Sequence, residues 1–199
     1  MSNARSLDVG CGVVPRNPFK TEEFYGLDIK VKDECSSFIK KCILGYEKIP
    51  FEDNFFDYIT AYDLLEHIPR THFDSNNPTI IHNPFIFLLN ELHRILKKGG
   101  YFYAFTPAYP AGTAFCDPTH CNFISFDTAS YFGGNCMTEL YGIKQWQIKE
   151  NSWRVNKYAG MLKEDMTMLN NIENIIRVKI MRQGSHLAWV FHKSIEPSA

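Results

Sequence analysis

Apolar residues along the chain fall into short runs broken by glycine, proline and acidic residues, with one longer stretch of helical periodicity. Ser6–Val9 is an apolar run stopped by Gly10-Cys11-Gly12, the pattern of a buried strand entering a tight turn. Phe24–Ile29 is a second run with Asp28 at its end, Cys42–Leu44 a short third and Phe56–Ala61 a fourth. Leu64–Pro69 reads as a helix or loop lying over the sheet. Between Phe85 and Lys98, residues Phe85, Leu88, Leu89, Leu92, Ile95 and Leu96 recur at spacings of three and four, which predicts an amphipathic helix with His93 on its polar side. Lys97-Lys98 and Gly99-Gly100 predict its C-terminal cap. Tyr101–Thr106 is an aromatic strand stopped by Pro107. Residues 107–134 show no period, which predicts a substrate-side loop or lid. Strand character returns at Ile143–Ile148, Ile175–Met181 and His186–His192, with Gln183-Gly184 as a turn between the last two.

Strands alternating with crossover segments imply an α/β fold: a mostly parallel sheet with covered faces, whose ligands bind at the carboxyl ends of the strands. A length of 199 residues, 45% of them hydrophobic, suits one domain with a full core, here residues 5–195. The net charge is −1 and the only basic runs are the pairs Lys40-Lys41 and Lys97-Lys98, which argues against a nucleic-acid partner. The six cysteines form no C-x-x-C pair, no apolar stretch is long enough to cross a bilayer, and residues 1–6 are polar. These features predict free thiols and a cytoplasmic protein without a membrane partner.

The chemistry-bearing residues follow the strands. Gly10 and Gly12 at the first turn allow a ligand to approach the backbone closely. A dinucleotide site would carry a third glycine, and here Val13-Val14-Pro15 follows instead. Asp8, two positions before the turn, suits an ammonium group better than a diphosphate. Asp28, 20 residues after Asp8, stands where an acidic side chain accepts hydrogen bonds from ribose hydroxyls. Cys116, His120 and Cys121 lack a second pair of closely spaced ligands, so no metal ligand is assigned.

Five segments together resemble the class I S-adenosylmethionine-dependent methyltransferases, in particular the methyltransferase type 11 group. They are Leu7–Gly12, Tyr25–Ile29, Ile49–Ile59, Asp63–Ile68 and Glu91–Gly100, in family order over residues 7 to about 107. The resemblance implies a Rossmann-like, doubly wound sheet of about seven strands with an antiparallel last strand. It implies S-adenosylmethionine as cofactor and S-adenosylhomocysteine as product. Asp8, Gly10, Cys11 and Gly12 would surround the methionine part, Asp28 and Ile29 the ribose and adenine. Tyr62, Asp63, Leu64 and His67 would border the sulfur side. The family often has an acidic residue where this chain has Gly45, which passes the adenine contact to Tyr46 or Glu47. Only about six residues precede the first strand, so the site is expected to be open, closed by residues 107–134, or completed by a second copy.

Transfer of a sulfonium methyl is an in-line displacement that needs alignment first and a base only when the acceptor loses a proton. An Asp-Pro-Thr-His stretch recurs near the acceptor in some methyltransferases of this group, which makes His120 the candidate base and Asp117 its orienter or a substrate contact. The segment Ala61-Tyr62-Asp63-Leu64 lacks the Pro-Pro step of enzymes that methylate base amino groups. The leading expectation is transfer to a small-molecule or carbohydrate-like acceptor. The alternative is a cofactor-binding subunit without its own activity; a nicotinamide dehydrogenase is disfavoured by the absent third glycine and by Asp8.

Overall fold

A computed structural model describes residues 4–31, 38–77, 79–134 and 136–195; Cys35 lies outside them. The strands are β1 (Arg5–Val9), β2 (Glu23–Asp28), β3 (Ile39–Lys41), β4 (Phe56–Tyr62), β5 (His72–Phe73), β6 (Ile81–His82), β7 (Leu96–Pro107), β8 (Gln147–Arg154) and β9 (His186–His192). The helices are α1 (Pro84–Ile95), α2 (Thr113–Cys116), α3 (Cys136–Leu140) and α4 (Met168–Lys179). Seven strands form one sheet in the order β3-β2-β1-β4-β7-β9-β8, while β5 and β6 form a separate exposed ladder. Strand β9 pairs antiparallel with both β7 and β8; the other sheet pairings are parallel. The Rossmann-like α/β sheet of seven strands, with the last running against the rest, is therefore as expected. The chain reverses its direction of strand addition between β1 and β4, and the carboxyl ends of these neighbours create the crevice.

The core forms where the helical period meets the sheet. Helix α1 starts at Pro84, whose missing N–H suits a first turn. It presents Phe85, Leu88, Leu89, Leu92 and Ile95, each at most 5% exposed, to Leu7, Val9, Ile59, Phe102 and Ala104 of the central strands. Burial of each large side chain contributes about 2 kcal/mol. The opposite sheet face is aromatic: Tyr62 and Phe105 stack at 5.3 Å, and Phe19 stacks on Tyr58 at 4.2 Å. The irregular segment around Phe19 and the loop carrying Leu162 pack on that face. Among the described residues no helix is long and apolar enough to cross a membrane.

Four expected elements differ. The third strand is Ile39–Lys41, not Cys42–Leu44, because residues 43–47 close a turn in which the Ile43 carbonyl accepts from the amides of Tyr46 and Glu47. Ile175–Met181 lies largely in α4, where the Thr167 hydroxyl accepts from the Asn170 amide and caps a helix that the alternating Ile176, Val178 and Ile180 had disguised. The strand expected at Ile143–Ile148 starts at Gln147. Gly99-Gly100 does not cap α1: the chain turns directly into β7 at Leu96, and the glycines form a bulge between the pairs Leu96–Phe56 and Tyr101–Tyr58. A side chain at Gly100 would come within 2.9 Å of the Asp57 carbonyl oxygen.

Residues 107–134 are not a detached lid. Ile124, Ala129 and Phe132 are buried in the core, and a run of 3-10 turns spans Phe126–Phe132. The segment's aromatic residues are otherwise largely open, with Tyr109, Phe115, Phe123, Phe126 and Tyr131 exposed and the rings of Phe115 and Phe123 stacked at 5.1 Å.

Candidate functional site

The first turn is built for close approach. Gly10 and Gly12 have φ of +70° and +63°, a region that L side chains avoid. A side chain on Gly12 would meet nothing within 4 Å, so the turn is bare on that side. On Gly10 it would strike Leu64, 2.8 Å from Cδ1, which places Leu64 directly against the turn. The Gly12 amide donates to Asp28 Oδ2 at 2.8 Å, and the Lys30 amide donates to Asp28 Oδ1 at 3.0 Å. Two backbone amides thus fix the carboxylate beside exposed Ile29, leaving lone pairs for a diol. Gly10, Cys11, Gly12, Asp28, Ile29 and Leu64 are brought together at one edge.

Asp8 is held from within the fold. It is 2% exposed, its Oδ2 accepts from the Arg16 amide and its Oδ1 from the Thr60 hydroxyl, both at 2.8 Å. Burial pushes its pKa up, against those two hydrogen bonds. Its carboxylate thereby ties the loop at Arg16 to β4. Cys11 is half-buried, its thiol pushed up to about 12 by burial and by the charges of Asp8 and Asp28, so it packs as a thiol. Tyr46 and Glu47 are exposed, and Glu47 Oε2 accepts from the Ile43 amide within its own turn. The glycine at position 45 has a local cause: φ is +87°, and a side chain would come within 3.0 Å of Pro84.

Beyond β4 the chain turns sharply. Asp63 takes φ +49°, its amide donates to the Phe105 carbonyl, and its exposed carboxylate lies 3.3 Å from His186 Nε2. The Arg16 guanidinium sits 4.2 Å over the Tyr62 ring, whose hydroxyl is pushed up by burial. Arg16, Tyr62, Asp63, Phe105 and Asn156 line a cleft of about 470 Å³ at the carboxyl ends of β4 and β7. Arg16 was not singled out by the sequence, because a lone arginine in an irregular loop carries no pattern.

The third group joins the turn after β4 to the loop after β7. Glu66 is 1% exposed; Thr106 at the end of β7 donates to its Oε2 at 2.9 Å, while Oε1 has no hydrogen-bond partner. Burial raises its pKa. His67 and His120 meet edge to face, ring centroids 4.9 Å apart. The Ala114 carbonyl holds His120 Nδ1 at 3.1 Å, whereas Asp117 Oδ2 stands 4.0 Å from Nε2 and Oδ1 accepts from the Thr119 amide and hydroxyl. His67 Nδ1 lies 3.3 Å from the Thr119 carbonyl and 3.1 Å from its hydroxyl. The amides of Cys121 and Asn122 donate to the Glu66 carbonyl, and Arg70 bonds Asn122 and Phe123, which pins this loop down. Cys116 and Cys121 are exposed free thiols.

Residues 7–104 match the model of a methyltransferase-domain family. No curated protein matches the chain in sequence. Among solved structures, a SAM-dependent methyltransferase from Archaeoglobus fulgidus aligns at TM-score 0.54 and 17% identity, over 96% of this chain and 86% of that one. A Haloferax volcanii structure containing the Trm112 methyltransferase activator in complex aligns at 0.59 and 14%, over 99% and 85%. The geranyl diphosphate C-methyltransferase of Streptomyces coelicolor, solved with Mg2+, geranyl diphosphate and S-adenosyl-L-homocysteine, aligns at 0.54 and 10%, over 96% and 73%.

Proposed function

From the premise that this chain belongs, through residues 7–104, to the class I S-adenosylmethionine-dependent methyltransferases, we propose that it methylates a small-molecule or carbohydrate-like acceptor, leaving S-adenosylhomocysteine. The observation that carries this is the bare turn at Gly12 tied to Asp28 at the end of β1 and β2, with Tyr62 and Asp63 lining a cleft at the end of the neighbouring β4. The donor set fits the cofactor: Asp28 for the ribose diol, Ile29 beside the base, and Gly10 to Gly12, Tyr62, Asp63, Leu64 and His67 around the methionine side. Tyr46 and Glu47 stay at the adenine end. S-adenosylmethionine supplies an activated methyl group, so the chain's own work is alignment and exclusion of water.

Acceptor size is argued from the cleft, whose cation, carboxylate, amide and aromatic rings suit a hydroxylated molecule. A net charge of −1 argues against a nucleic-acid acceptor and, with the free described thiols, for a cytoplasmic setting. His120 and Asp117 serve the acceptor side, with Asp117 Oδ2 4.0 Å from His120 Nε2. Transfer of a labelled methyl group to a panel of sugars and hydroxylated small molecules, with transfer RNA and bulk protein as controls, tests this; labelling of RNA or protein alone contradicts it.

A second reading is a subunit that binds cofactor but works only with a partner or a second copy. One observation favours it: α4 leaves Met168, Leu169, Ile172 and Ile176 exposed along one side. Cofactor binding without transfer in isolation, restored by a partner, selects this reading.

A further inference from the structure

We propose that Glu66, His67 and His120 form a binding site for one divalent first-row transition-metal ion. Their ligand atoms already lie within 4.8 Å of one another, with Glu66 Oε1 and His120 Nε2 3.9 Å apart. Ligands about 2.1 Å from a common ion stand about 3 to 3.5 Å apart, so closing the site takes movements of about 0.5 Å for the Glu66–His120 pair and up to about 1.5 Å for the rest.

The hydrogen bonds around the cluster select the atoms. The Ala114 carbonyl can only accept, so the proton of neutral His120 sits on Nδ1 and Nε2 presents a lone pair. The Thr119 carbonyl, 3.3 Å from His67 Nδ1, places that proton in the same way. The Thr119 hydroxyl, which donates to Asp117, accepts from the same nitrogen at 3.1 Å. His67 Nε2 is left as the second lone pair. Thr106 occupies Glu66 Oε2, and Oε1 is buried without a partner. Glu66 Oε1 and His120 Nε2 thus face each other with lone pairs, His67 brings a third donor into the same cluster, and each side chain is anchored through another atom by a neighbour. Lone pairs facing one another repel unless a cation stands between them, and an unpartnered buried carboxylate oxygen is costly without one.

Two imidazoles and one carboxylate are the donor set of divalent zinc, iron, manganese and cobalt, not of the all-oxygen sites preferred by calcium and magnesium. Three protein ligands leave positions open, and Asp117 Oδ2 borders them. In this arrangement His120 is a ligand, not a base. Use of the ion to hold an acceptor oxygen rests on the transfer reading above; binding of the ion does not.

The test is titration of chelator-treated protein with Co2+, without S-adenosylmethionine, followed by calorimetry and visible absorption. The expected result is one equivalent bound at micromolar affinity, with ligand-field bands and no thiolate charge-transfer band. Glu66→Gln, His67→Asn and His120→Asn should each weaken binding tenfold or more, and Cys116→Ser/Cys121→Ser should leave it unchanged. His67 is the least buried ligand, so its variant decides if the others do not fold. Absence of binding to the intact chain, binding lost in the cysteine variant, or binding unmoved by His67→Asn overturns the proposal. Because no methyl transfer is read, failure here leaves the transfer reading standing, and failure of transfer leaves the site.

Discussion

The Gly12 amide donates to Asp28 Oδ2 at 2.8 Å, so the turn after β1 and the end of β2 are one unit. This bond sets the carboxylate where the turn is bare. The glycines near it should therefore behave differently on substitution. Gly12→Ala adds a methyl that meets no protein atom, at a φ of +63° that costs an L residue about 1–2 kcal/mol. The fold should persist, and cofactor affinity should fall at least tenfold in a calorimetric titration. Gly26→Ala places its methyl 2.5 Å from Cys11 Sγ and 2.8 Å from Pro15, and should destabilise by about 1–3 kcal/mol in urea denaturation.

Arg94 should be the strongest polar determinant of stability on α1. Its guanidinium is bidentate to Glu91, bonds Asp53, and donates to the carbonyls of Ile49 and Phe51. It thereby fastens the turn before β4 to the helix. Arg94→Met leaves Glu91, 9% exposed, without its cation and should lower unfolding free energy by about 2–3 kcal/mol. Arg94→Lys should recover only part, because an ammonium cannot span both carboxylates and two carbonyls. Equal stability of the two variants would refute the fork geometry.

His93 predicts a pH dependence. Its ring packs edge-on to Trp146 at 4.9 Å, and burial, then the charges of Lys193 and Lys144, lower its pKa to about 4. In the unfolded chain it titrates near 6.5. Between these values the unfolded state binds the extra proton. This contribution is thus full above pH 6.5 and is lost as pH falls toward 4, by at most about 3 kcal/mol. His93→Gln should flatten the stability profile between pH 4 and 6.5; an unchanged profile would show that the ring is not buried as described.

The sequence made the sheet legible because its strands are short apolar runs ended by turn residues, and α1 because Phe85 to Ile95 keep helical spacing. What it hid were long-range compensations. Ile176, Val178 and Ile180 alternate like a strand, yet a cap at Thr167 and packing of Asn174 against the end of β8 make the segment helical. Gly99-Gly100 looks like a helix cap until β4 is placed beside it. At the site, Gly12 and Asp28 were readable from spacing. Asp8 was readable in position, but its internal partners were not, being an amide and a hydroxyl 8 and 52 residues away. Glu66 beside His67 is an ordinary pair in sequence. Only tertiary packing reveals that Glu66 is buried, half-satisfied and aimed at His120.

The most direct test of the central claim is calorimetric titration of the intact chain with S-adenosylmethionine and S-adenosylhomocysteine, in parallel with Asp28→Ala. The account predicts one cofactor per chain, with affinity reduced tenfold or more in the variant, about 1.4 kcal/mol. No binding to the intact chain, or equal binding by the two proteins, would contradict it.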